Sequence, residues 1–292
     1  MKVAITGAKG MLGFDTIREA QRRGHEVLPL DRTILDISDR NATHRIIGDL
    51  SPDALIHCAG WTDVDAAEKT ENIPLVKAAN TFGTRNLAEA CSDIKCKMVF
   101  ISTDYVFDGT GKAPWEPDCK EFEALSVYGK SKLEGELAVS EILDKYFVVR
   151  TAWMFGINGR NFVTTMLRLG KSKSEIRVVS DQIGTPTYSK DLAKLLIDMV
   201  ETEKYGYYHA TNEGGFISWY DFACEIFRQV NCRTVLIPVT TAEYGMNKAV
   251  RPFNSRLDKS KLSKAGFLPL PTWEDALHRY LIEIGEVDKK NG

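Results

Sequence analysis

The feature that most constrains the fold of this chain is a loop with glycines at positions 7, 10 and 13, placed between a short apolar segment and a helix-like one. Residues 2–6 are apolar and β-rich, and residues 11–23 have the pattern of a helix that stops at Gly24. Backbone N–H groups at the start of such a helix can bind a pyrophosphate. The order strand, glycine loop, helix therefore predicts a dinucleotide-binding α/β unit, with an ordinary tight turn as the alternative.

The chain continues to alternate between strand-like and helix-like segments. Strands are predicted at 25–30, 54–58, 97–101 and 146–150, with helices at 74–91 and 127–143. Alternation of this kind builds an α/β fold with a doubly wound parallel sheet, or Rossmann fold. After residue 151 the alternation loosens, and the last residues, 288–292, are predicted to fray. We therefore predict a dinucleotide-binding domain at 1–150 and a smaller C-terminal α/β lobe at 151–292, mainly for substrate, with some segments returning to the first domain.

Composition and charge exclude several classes of partner. The formal net charge of the 292 residues is -2 at pH 7, with acids and bases interspersed, so there is no basic surface for nucleic acid. No apolar segment has the length of a membrane span, and the short run at residues 3–5 is not a signal peptide. The six cysteines contain no Cys-x-x-Cys pair, which is typical of thiols in a reducing compartment. We expect a cytoplasmic protein whose partner is a small molecule.

A tyrosine and a lysine four residues apart form the candidate catalytic pair. Tyr128 and Lys132 share one face of the predicted helix, so the ammonium is expected to lower the pKa of the phenol and to bind the ribose of a coenzyme. Thr103 follows a buried strand, at the edge where open α/β sheets bind ligands, and its hydroxyl is expected to orient a substrate carbonyl. The alternatives are an exposed helix stripe for the pair and a turn cap for Thr103.

Two charged residues at the end of the second predicted strand bear on whether the coenzyme is NADH or NADPH. Asp31 lies about 20 residues after the loop, where an acid accepts hydrogen bonds from ribose hydroxyls, and this favours NADH. Arg32 follows and suits a 2′-phosphate, so NADPH stays open, as does a solvated Asp-Arg turn. Residues 80–86 combine small and amide side chains in a predicted helix, and close packing of this helix on the sheet is the simplest interpretation. The predicted coenzyme contacts are Gly7, Gly10, Met11, Leu12, Gly13, Asp31, Arg32, Asp36, Ile37, Gly60, Trp61, Thr62, Tyr128 and Lys132.

Several motifs together resemble the dTDP-4-dehydrorhamnose reductase family of extended short-chain dehydrogenases/reductases. The resemblance covers nearly the whole chain, and its most distinctive motif is Ser-Thr-Asp-Tyr-Val-Phe-Asp-Gly at 102–109. The other motifs are the glycine loop and segments 58–68, 128–132, 150–153, 161–162 and 181–187.

The resemblance implies a reaction and roles for further residues. The coenzyme would deliver a hydride to C4 of a dTDP-linked 4-keto-6-deoxy sugar while Tyr128 protonates the ketone oxygen, which gives dTDP-L-rhamnose. Asp104 and Trp153 would contact the sugar, and Arg251 would lie near the nucleotide end. Some members pair through a magnesium ion held by carboxylates.

The chain lacks one of the carboxylates that the resemblance implies for this magnesium ion. Lys190 stands where one of those carboxylates is expected, although Asp15 keeps an acid near the glycine loop. We therefore predict no required metal and leave a homodimer open.

Two other functions share these features. A sugar-nucleotide epimerase or 4,6-dehydratase would have the same loop and Tyr-Lys pair, but a dehydratase usually carries Asp-Glu after the threonine, whereas this chain has Asp104-Tyr105. A non-catalytic regulatory subunit could also use the fold to bind a dinucleotide and a partner enzyme. The intact Thr103, Tyr128 and Lys132 favour the reductase over this second alternative.

Overall fold

The computed structural model describes residues 1–245 and 248–288, so residues 289–292 of the predicted frayed end lie outside the described part. The strands are β1 Lys2–Thr6, β2 Glu26–Leu30, β3 Ala54–His57, β4 Lys97–Thr103, β5 Tyr146–Thr151, β6 Met154–Phe155, β7 Glu175–Val179, β8 Ile183–Gly184, β9 Thr187–Tyr188, β10 Gly206–His209, β11 Ile217–Ser218 and β12 Val235–Val239. Six of them form one parallel sheet in the order β10-β5-β4-β3-β1-β2. The predicted α/β class is confirmed.

The helices cover both faces of this sheet and fill the C-terminal part. They are α1 Met11–Arg22, α2 Arg40–Leu50, α3 Val64–Ala67, α4 Ile73–Lys77, α5 Gly83–Asp93, α6 Val127–Ile142, α7 Phe162–Gly170, α8 Ser189–Val200, α9 Trp219–Gln229, α10 Thr241–Tyr244, α11 Ser260–Lys264 and α12 Trp273–Glu283. Short 3-10 turns lie at Thr70–Asn72 and Asp104–Val106.

The helix predicted at 74–91 is confirmed, but its geometry is not regular along its whole length. A π-helical turn, Ala78–Phe82, joins α4 to α5. The wider turn places Asn80 in the protein interior, where it is 1% exposed. Single π-turns inside α-helices are found frequently at functional sites.

Alternate residues of the central strands face two separate apolar layers. On β4, Val99 and Ile101 pack on the side of α1 and α8, whereas Met98 and Phe100 pack on the side of α2, α5 and α6. Strands buried on both faces give the nearly continuous apolar runs seen in the sequence. The sheet therefore holds its carboxyl edge rigidly between two helical layers.

The C-terminal part has a third core and three small sheets. Strands β7 and β12 pair in parallel, as do β6 and β9, while β8 and β11 are antiparallel. Helices α7, α9 and α12 enclose this core. Strand β10 and helix α8 instead join the central sheet, where β10 pairs with β5. Within the two described ranges, no helix has both the length and the apolar character needed to cross a membrane.

Candidate active site

The carboxyl ends of β1, β3, β4 and β5 open onto a cleft of about 1080 Å³. Its volume is at the upper end of ordinary ligand pockets, which suits a large coenzyme with a second ligand. The structure brings every predicted site residue to this cleft. The residues concerned are Gly7, Gly10, Met11, Leu12, Gly13, Asp31, Arg32, Asp36, Ile37, Gly60, Trp61, Thr62, Thr103, Asp104, Tyr128, Lys132, Trp153 and Arg251.

The glycine loop requires glycine at two of its positions. Gly7 has φ +67°, and a Cβ there would lie 2.7 Å from the backbone nitrogen of Ala59. A Cβ at Gly13 would lie 2.2 Å from the carbonyl oxygen of Gly7. Gly10 is the N-cap of α1 and has no side chain to bond the first N–H groups of the helix. These N–H groups thus provide an anion site at the cleft.

The negative charge of Asp31 is partly compensated by Lys9, which was not among the predicted site residues. Its Oδ2 lies 2.5 Å from Nζ of Lys9, and its Oδ1 accepts the hydroxyl and the N–H of Thr33 at 2.5 and 2.8 Å. Lys9 in particular, followed by Thr33, holds the pKa of this carboxyl well below its usual range. Arg32 is exposed and has only a long pair, 3.6 Å, with Asp36. Lys9 is far from Asp31 in sequence, so no local pattern announces the pair.

Asn80 clamps the segment that follows β3. Its Oδ1 accepts the N–H of Trp61 at 2.7 Å, and its Nδ2 donates to the Trp61 carbonyl at 3.1 Å. The same amide donates to Oγ of Ser131, next to Lys132, at 2.9 Å. Close packing is therefore too simple an interpretation of residues 80–86, because this side chain ties the cleft wall to α6.

A buried histidine extends this hydrogen-bond network to the end of β1. The Thr84 hydroxyl donates to the Asn80 carbonyl, so Nε2 of the neutral His57 ring carries the proton and Nδ1 accepts the Thr6 hydroxyl at 2.7 Å; Thr6 in turn accepts the N–H of Ala59 at 3.2 Å. Nε2 of His57 then donates to the Thr84 hydroxyl at 3.1 Å, which donates to the Asn80 carbonyl at 2.7 Å. Burial lowers the pKa of His57 to about 3, so the ring is neutral in this role.

Thr103, Tyr128 and Lys132 converge from β4 and α6. Thr103 is 5% exposed; its hydroxyl donates to Oδ1 of Asp104 at 3.0 Å and accepts the N–H of Tyr105 at 3.3 Å, so it also caps the following turn. Tyr128 is half-buried and meets the Tyr105 ring edge-on at 5.6 Å. Lys132 is buried, with Nζ 4.0 Å from the centre of the Phe100 ring.

The start of α6 is fixed by two side chains. Oγ of Ser126 accepts the N–H of Gly129 at 3.0 Å, and a carboxylate oxygen of Glu68 accepts the N–H of Val127 at 2.8 Å. Both acceptors satisfy N–H groups that a helix leaves free at its first turn. Tyr128 therefore lies on a firmly capped helix start.

The pKa values in this group follow burial. Burial raises the pKa of Tyr128 to about 12; the Thr103 hydroxyl opposes this shift and Asp104 adds to it. Burial lowers the pKa of Lys132 to about 7 and raises that of Asp104 to about 6. The predicted lowering of the phenol pKa by Lys132 is wrong in this structure, because burial raises this pKa and Lys132 is not among the groups that lower it.

Two stacked tryptophans form one wall of the cleft. Trp153 follows β5 and has φ +51°, a left-handed conformation that costs a non-glycine residue roughly 1–2 kcal/mol. Its ring lies 3.7 Å from that of Trp219, with 16° between the planes. Phe162 packs on Trp219 at 4.6 Å. Trp219 and Phe162 also line the cleft but were not predicted, because nothing local links them to Trp153.

Arg251 lies at the cleft with its guanidinium held by Asp65. The two side chains make bonds of 2.7 and 3.2 Å, and Asp65 also accepts the N–H groups of Lys248 and Ala249 at 3.0 Å. The ion pair joins segment 248–251 to the start of α3. Arg251 is therefore positioned before any anion reaches it.

The two positions considered for a metal, 15 and 190, bind other side chains in the structure. Asp15 accepts a hydrogen bond from the Ser189 hydroxyl at 2.5 Å, and Lys190 pairs with Glu283 at 3.0 Å. Among the described residues, no group of three or more His, Cys, Asp or Glu side chains is placed to hold a metal ion. The absence of a required metal stays a prediction.

Comparison with known proteins adds to this geometry. A family model described as the RmlD substrate binding domain matches residues 1–285. The chain belongs to this family. The chain is similar to the spore coat polysaccharide biosynthesis protein SpsK of Bacillus subtilis, with 39% identity over 282 residues and 97% of each chain. The dTDP-4-dehydrorhamnose reductase of Aggregatibacter actinomycetemcomitans is 40% identical over 289 residues, 94% of this chain and 97% of the relative.

A solved structure from the RmlD family has the same architecture. The dTDP-4-dehydrorhamnose reductase of Bacillus anthracis, crystallised in complex with NADP, is 40% identical and superposes with a TM-score of 0.92. The match covers 97% of this chain and 99% of that one. The resemblance inferred from the motifs is thus confirmed over the full length of the fold.

Proposed function

We propose that this protein is an NAD(P)H-dependent reductase that converts dTDP-4-dehydro-L-rhamnose into dTDP-L-rhamnose. The observation that carries the proposal is the convergence of Thr103, Tyr128 and Lys132 on the cleft that the glycine loop opens. Relatives about 40% identical over most of the chain are named for this reaction. Fold alone would not decide it, since many activities share a doubly wound sheet.

The cleft fits a nicotinamide dinucleotide. The loop has no room for a Cβ at Gly7 or Gly13, and the N–H groups at the start of α1 are free for a pyrophosphate. Asp31 suits ribose hydroxyls, while Lys9 and Arg32 provide positive charge for a 2′-phosphate. We therefore propose that both NADH and NADPH serve. When bound, the coenzyme supplies the hydride that adds to the C4 carbonyl carbon.

The chain itself handles the proton. Because the pKa of Tyr128 is about 12, its phenol is protonated at neutral pH and can donate to the ketone oxygen as that oxygen gains negative charge. The Thr103 hydroxyl orients the same oxygen. Lys132 lies in the same cleft and binds the ribose of the coenzyme. The ketone thus gains one hydride and one proton to become the alcohol, and Tyr128 is reprotonated afterwards.

The substrate contacts follow the same layout. We assign Asp104 and Trp153 to the sugar because they lie beside Thr103 at the ends of β4 and β5. We assign Arg251 to the diphosphate, whose geometry a guanidinium matches with paired hydrogen bonds. The bound diphosphate would share this guanidinium with Asp65.

We propose that the two parts of the chain bind different ligands. Residues 1–150 bind the dinucleotide and residues 151–292 mainly bind substrate, with α8 and β10 returning to the central sheet. All six cysteines, each within the described part, are free thiols, which supports a cytoplasmic location. A homodimer is the oligomeric state to test, by light scattering of the purified protein.

The test is a coupled assay with a dTDP-4-keto-6-deoxy sugar that follows oxidation of NADH and of NADPH. We expect turnover with added reductant, and Tyr128→Phe should lower kcat by roughly 10²-fold or more with nearly unchanged coenzyme affinity. Tyr146→Phe, at the far end of β5, is the matched control and should keep wild-type turnover.

Other outcomes would favour the alternatives. Turnover with tightly retained NAD and no added reductant would indicate an epimerase. Stoichiometric capture of a partner enzyme without oxidation of either coenzyme would indicate a regulatory subunit. Unchanged kcat in the Tyr128 variant would remove that residue from the mechanism.

A further inference from the structure

We propose that Trp219 is a positioning residue for substrate recognition: it holds the Trp153 indole in place, and the two stacked rings form the wall that takes the sugar of the nucleotide sugar. The inference rests on the proposed function and adds a residue to the substrate site. It begins from the nearly parallel stack of the two rings, 3.7 Å apart, in the lining of the cleft.

The backbone of Trp153 needs support. Its left-handed conformation at φ +51° is unfavourable for a bulky side chain and persists only where the surroundings enforce it. One edge of the indole meets Gly184, where a Cβ would lie 3.0 Å from Cε2 of the ring. One face is covered by Trp219. The ring is therefore confined on two sides.

The two supports of Trp153 belong to one small sheet. Gly184 ends β8, which pairs with β11 through Ile217 and Ser218, and Trp219 follows directly as the first residue of α9. Ser218 caps this helix and exchanges hydrogen bonds with Asp221 in a capping box. The β8–β11 pair thus fixes the spacing between the two surfaces that grip the indole.

Trp219 is itself held from behind. Phe162, at the start of α7, packs on it at 4.6 Å with 47° between the planes. Phe162, Trp219 and Trp153 all line the cleft, so the aromatic row ends at the ligand space rather than in the core. A row of this kind is rigid, because each ring restricts its neighbour.

The chemistry of the wall suits a deoxy sugar. An indole offers a broad apolar face, and the C–H groups of a sugar ring and the methyl group of a 6-deoxy sugar are apolar. The polar groups of Thr103, Asp104 and Tyr128 lie elsewhere in the same cleft. A sugar ring that packs on the wall would be oriented by the indole rings. Its ketone oxygen could then accept hydrogen bonds from the hydroxyls of Thr103 and Tyr128. Displacing Trp219 would free Trp153 and loosen the sugar without touching the coenzyme.

The experiment compares Trp219→Leu and Trp219→Phe with the wild type and with Trp115→Phe, a control whose indole stacks on Phe107 outside the cleft. Three quantities are measured: KM for the dTDP-4-keto-6-deoxy sugar, kcat, and Kd for NADPH by fluorescence. Far-UV circular dichroism reports the stack, because two facing indoles give an exciton couplet.

We expect Trp219→Leu to raise KM roughly 10-fold, the factor that corresponds to one aromatic pair, with kcat and the NADPH Kd nearly unchanged. Trp219→Phe should keep a stacked ring and recover most of this loss. The couplet should disappear in both Trp219 variants and remain in Trp115→Phe.

Three results would overturn the inference. Wild-type KM in a folded Trp219→Leu would remove Trp219 from substrate recognition. Equal rises in KM and in the NADPH Kd would indicate a general loss of structure. If Trp219→Leu does not fold, the test depends on Trp219→Phe. A KM of Trp219→Phe more than a few-fold above that of the wild type would then contradict the expected recovery. A wild type that reduces no 4-keto sugar nucleotide instead refutes the proposed function, which separates the two failures.

Discussion

Asp104 has the least favourable position for a charge among the acids of the cleft. It is 2% exposed, and burial raises the pKa of its carboxyl from 3.8 to about 6, although the hydroxyls of Ser255 and Thr103 oppose this shift. The folded state therefore holds a proton on Asp104 over a pH range in which the unfolded chain has lost it. The contribution of the Asp104 carboxyl to the free energy of unfolding is fully present below about pH 4 and is lost as the pH rises through about 6.

Asp104→Asn tests this cost, because the amide imitates the neutral carboxyl at every pH. We expect the free energy of unfolding of the variant, relative to wild type, to rise by about 2 kcal/mol between pH 4 and pH 8, at about 1.4 kcal/mol per unit of pKa shift, because the unfolded carboxyl is already partly ionised at pH 4. Urea denaturation at several pH values measures it. The exposed Asp49→Asn is the control and should show no such trend. A pH-independent difference for Asp104→Asn would contradict the raised pKa.

Residues with a local signature could be identified from the sequence, and residues defined by a distant partner could not. The glycines, Thr103, Tyr128 and Lys132 carry spacing that reflects the geometry of one loop, one strand end and one helix face. Trp219 meets Trp153 only because β8 and β11 pair, and that pairing leaves no periodic pattern in the sequence. The pKa of Tyr128 was mispredicted for a related reason, since burial is a property of the folded cleft.

At the scale of elements, a buried ion pair joins β5 to α6, the helix that carries Tyr128. Arg150 and Glu136 are both fully buried and make two hydrogen bonds of 2.9 and 2.7 Å. The guanidinium also lies over the rings of Phe107, Phe122 and Tyr207 at 5.0, 5.2 and 4.9 Å. Removing one partner would leave the other charge buried without compensation.

A double-mutant cycle tests this pair. Glu136→Leu and Arg150→Met should each lower the free energy of unfolding by about 3–5 kcal/mol, and the double variant should lose clearly less than the sum. Denaturant unfolding supplies the four values. Arg85 and Glu141 form a control pair on α5 and α6 that is exposed, where each single substitution should cost below about 1 kcal/mol. Additive losses at the buried pair would argue against coupling between Arg150 and Glu136.

Element types were predictable because their patterns are long and regular. The four predicted strands of the first half agree with β2, β3, β4 and β5 to within a few residues. The π-turn at Ala78–Phe82 was not predictable. Its extra residue accompanies the hydrogen bonds of Asn80 to Trp61 and Ser131, which join separate segments of the chain.

At the scale of the whole molecule, the central sheet is assembled from both halves of the chain. Helix α8 packs beside α1, and β10 pairs with β5 at one edge. The apolar side chains that α8 buries are Leu192, Ala193, Leu195, Leu196, Ile197, Met199 and Val200. At roughly 1.5–3 kcal/mol for each fully buried large side chain, burial of this helix face is a large favourable term, which offsets the conformational entropy lost on folding.

Fragment 1–150 tests this dependence. Although it contains the predicted dinucleotide-binding domain, we expect it to show no cooperative thermal transition, because it lacks α8 and β10. The full chain should unfold in one sharp transition under the same conditions. Circular dichroism during heating, combined with NADH titration, measures both properties. A fragment that melts cooperatively and binds NADH would establish residues 1–150 as an independent folding unit.

The late position of β10 has a consequence for biosynthesis. Its residues, 206–209, are synthesised only after more than two thirds of the 292 residues have been made. Until then, the edge of β5 that faces away from β4 has no partner strand. An unpaired parallel edge attracts other chains. The nascent protein thus passes through a stage at which shielding by a chaperone favours correct closure, and a translational pause before residue 206 would prolong its exposure to aggregation.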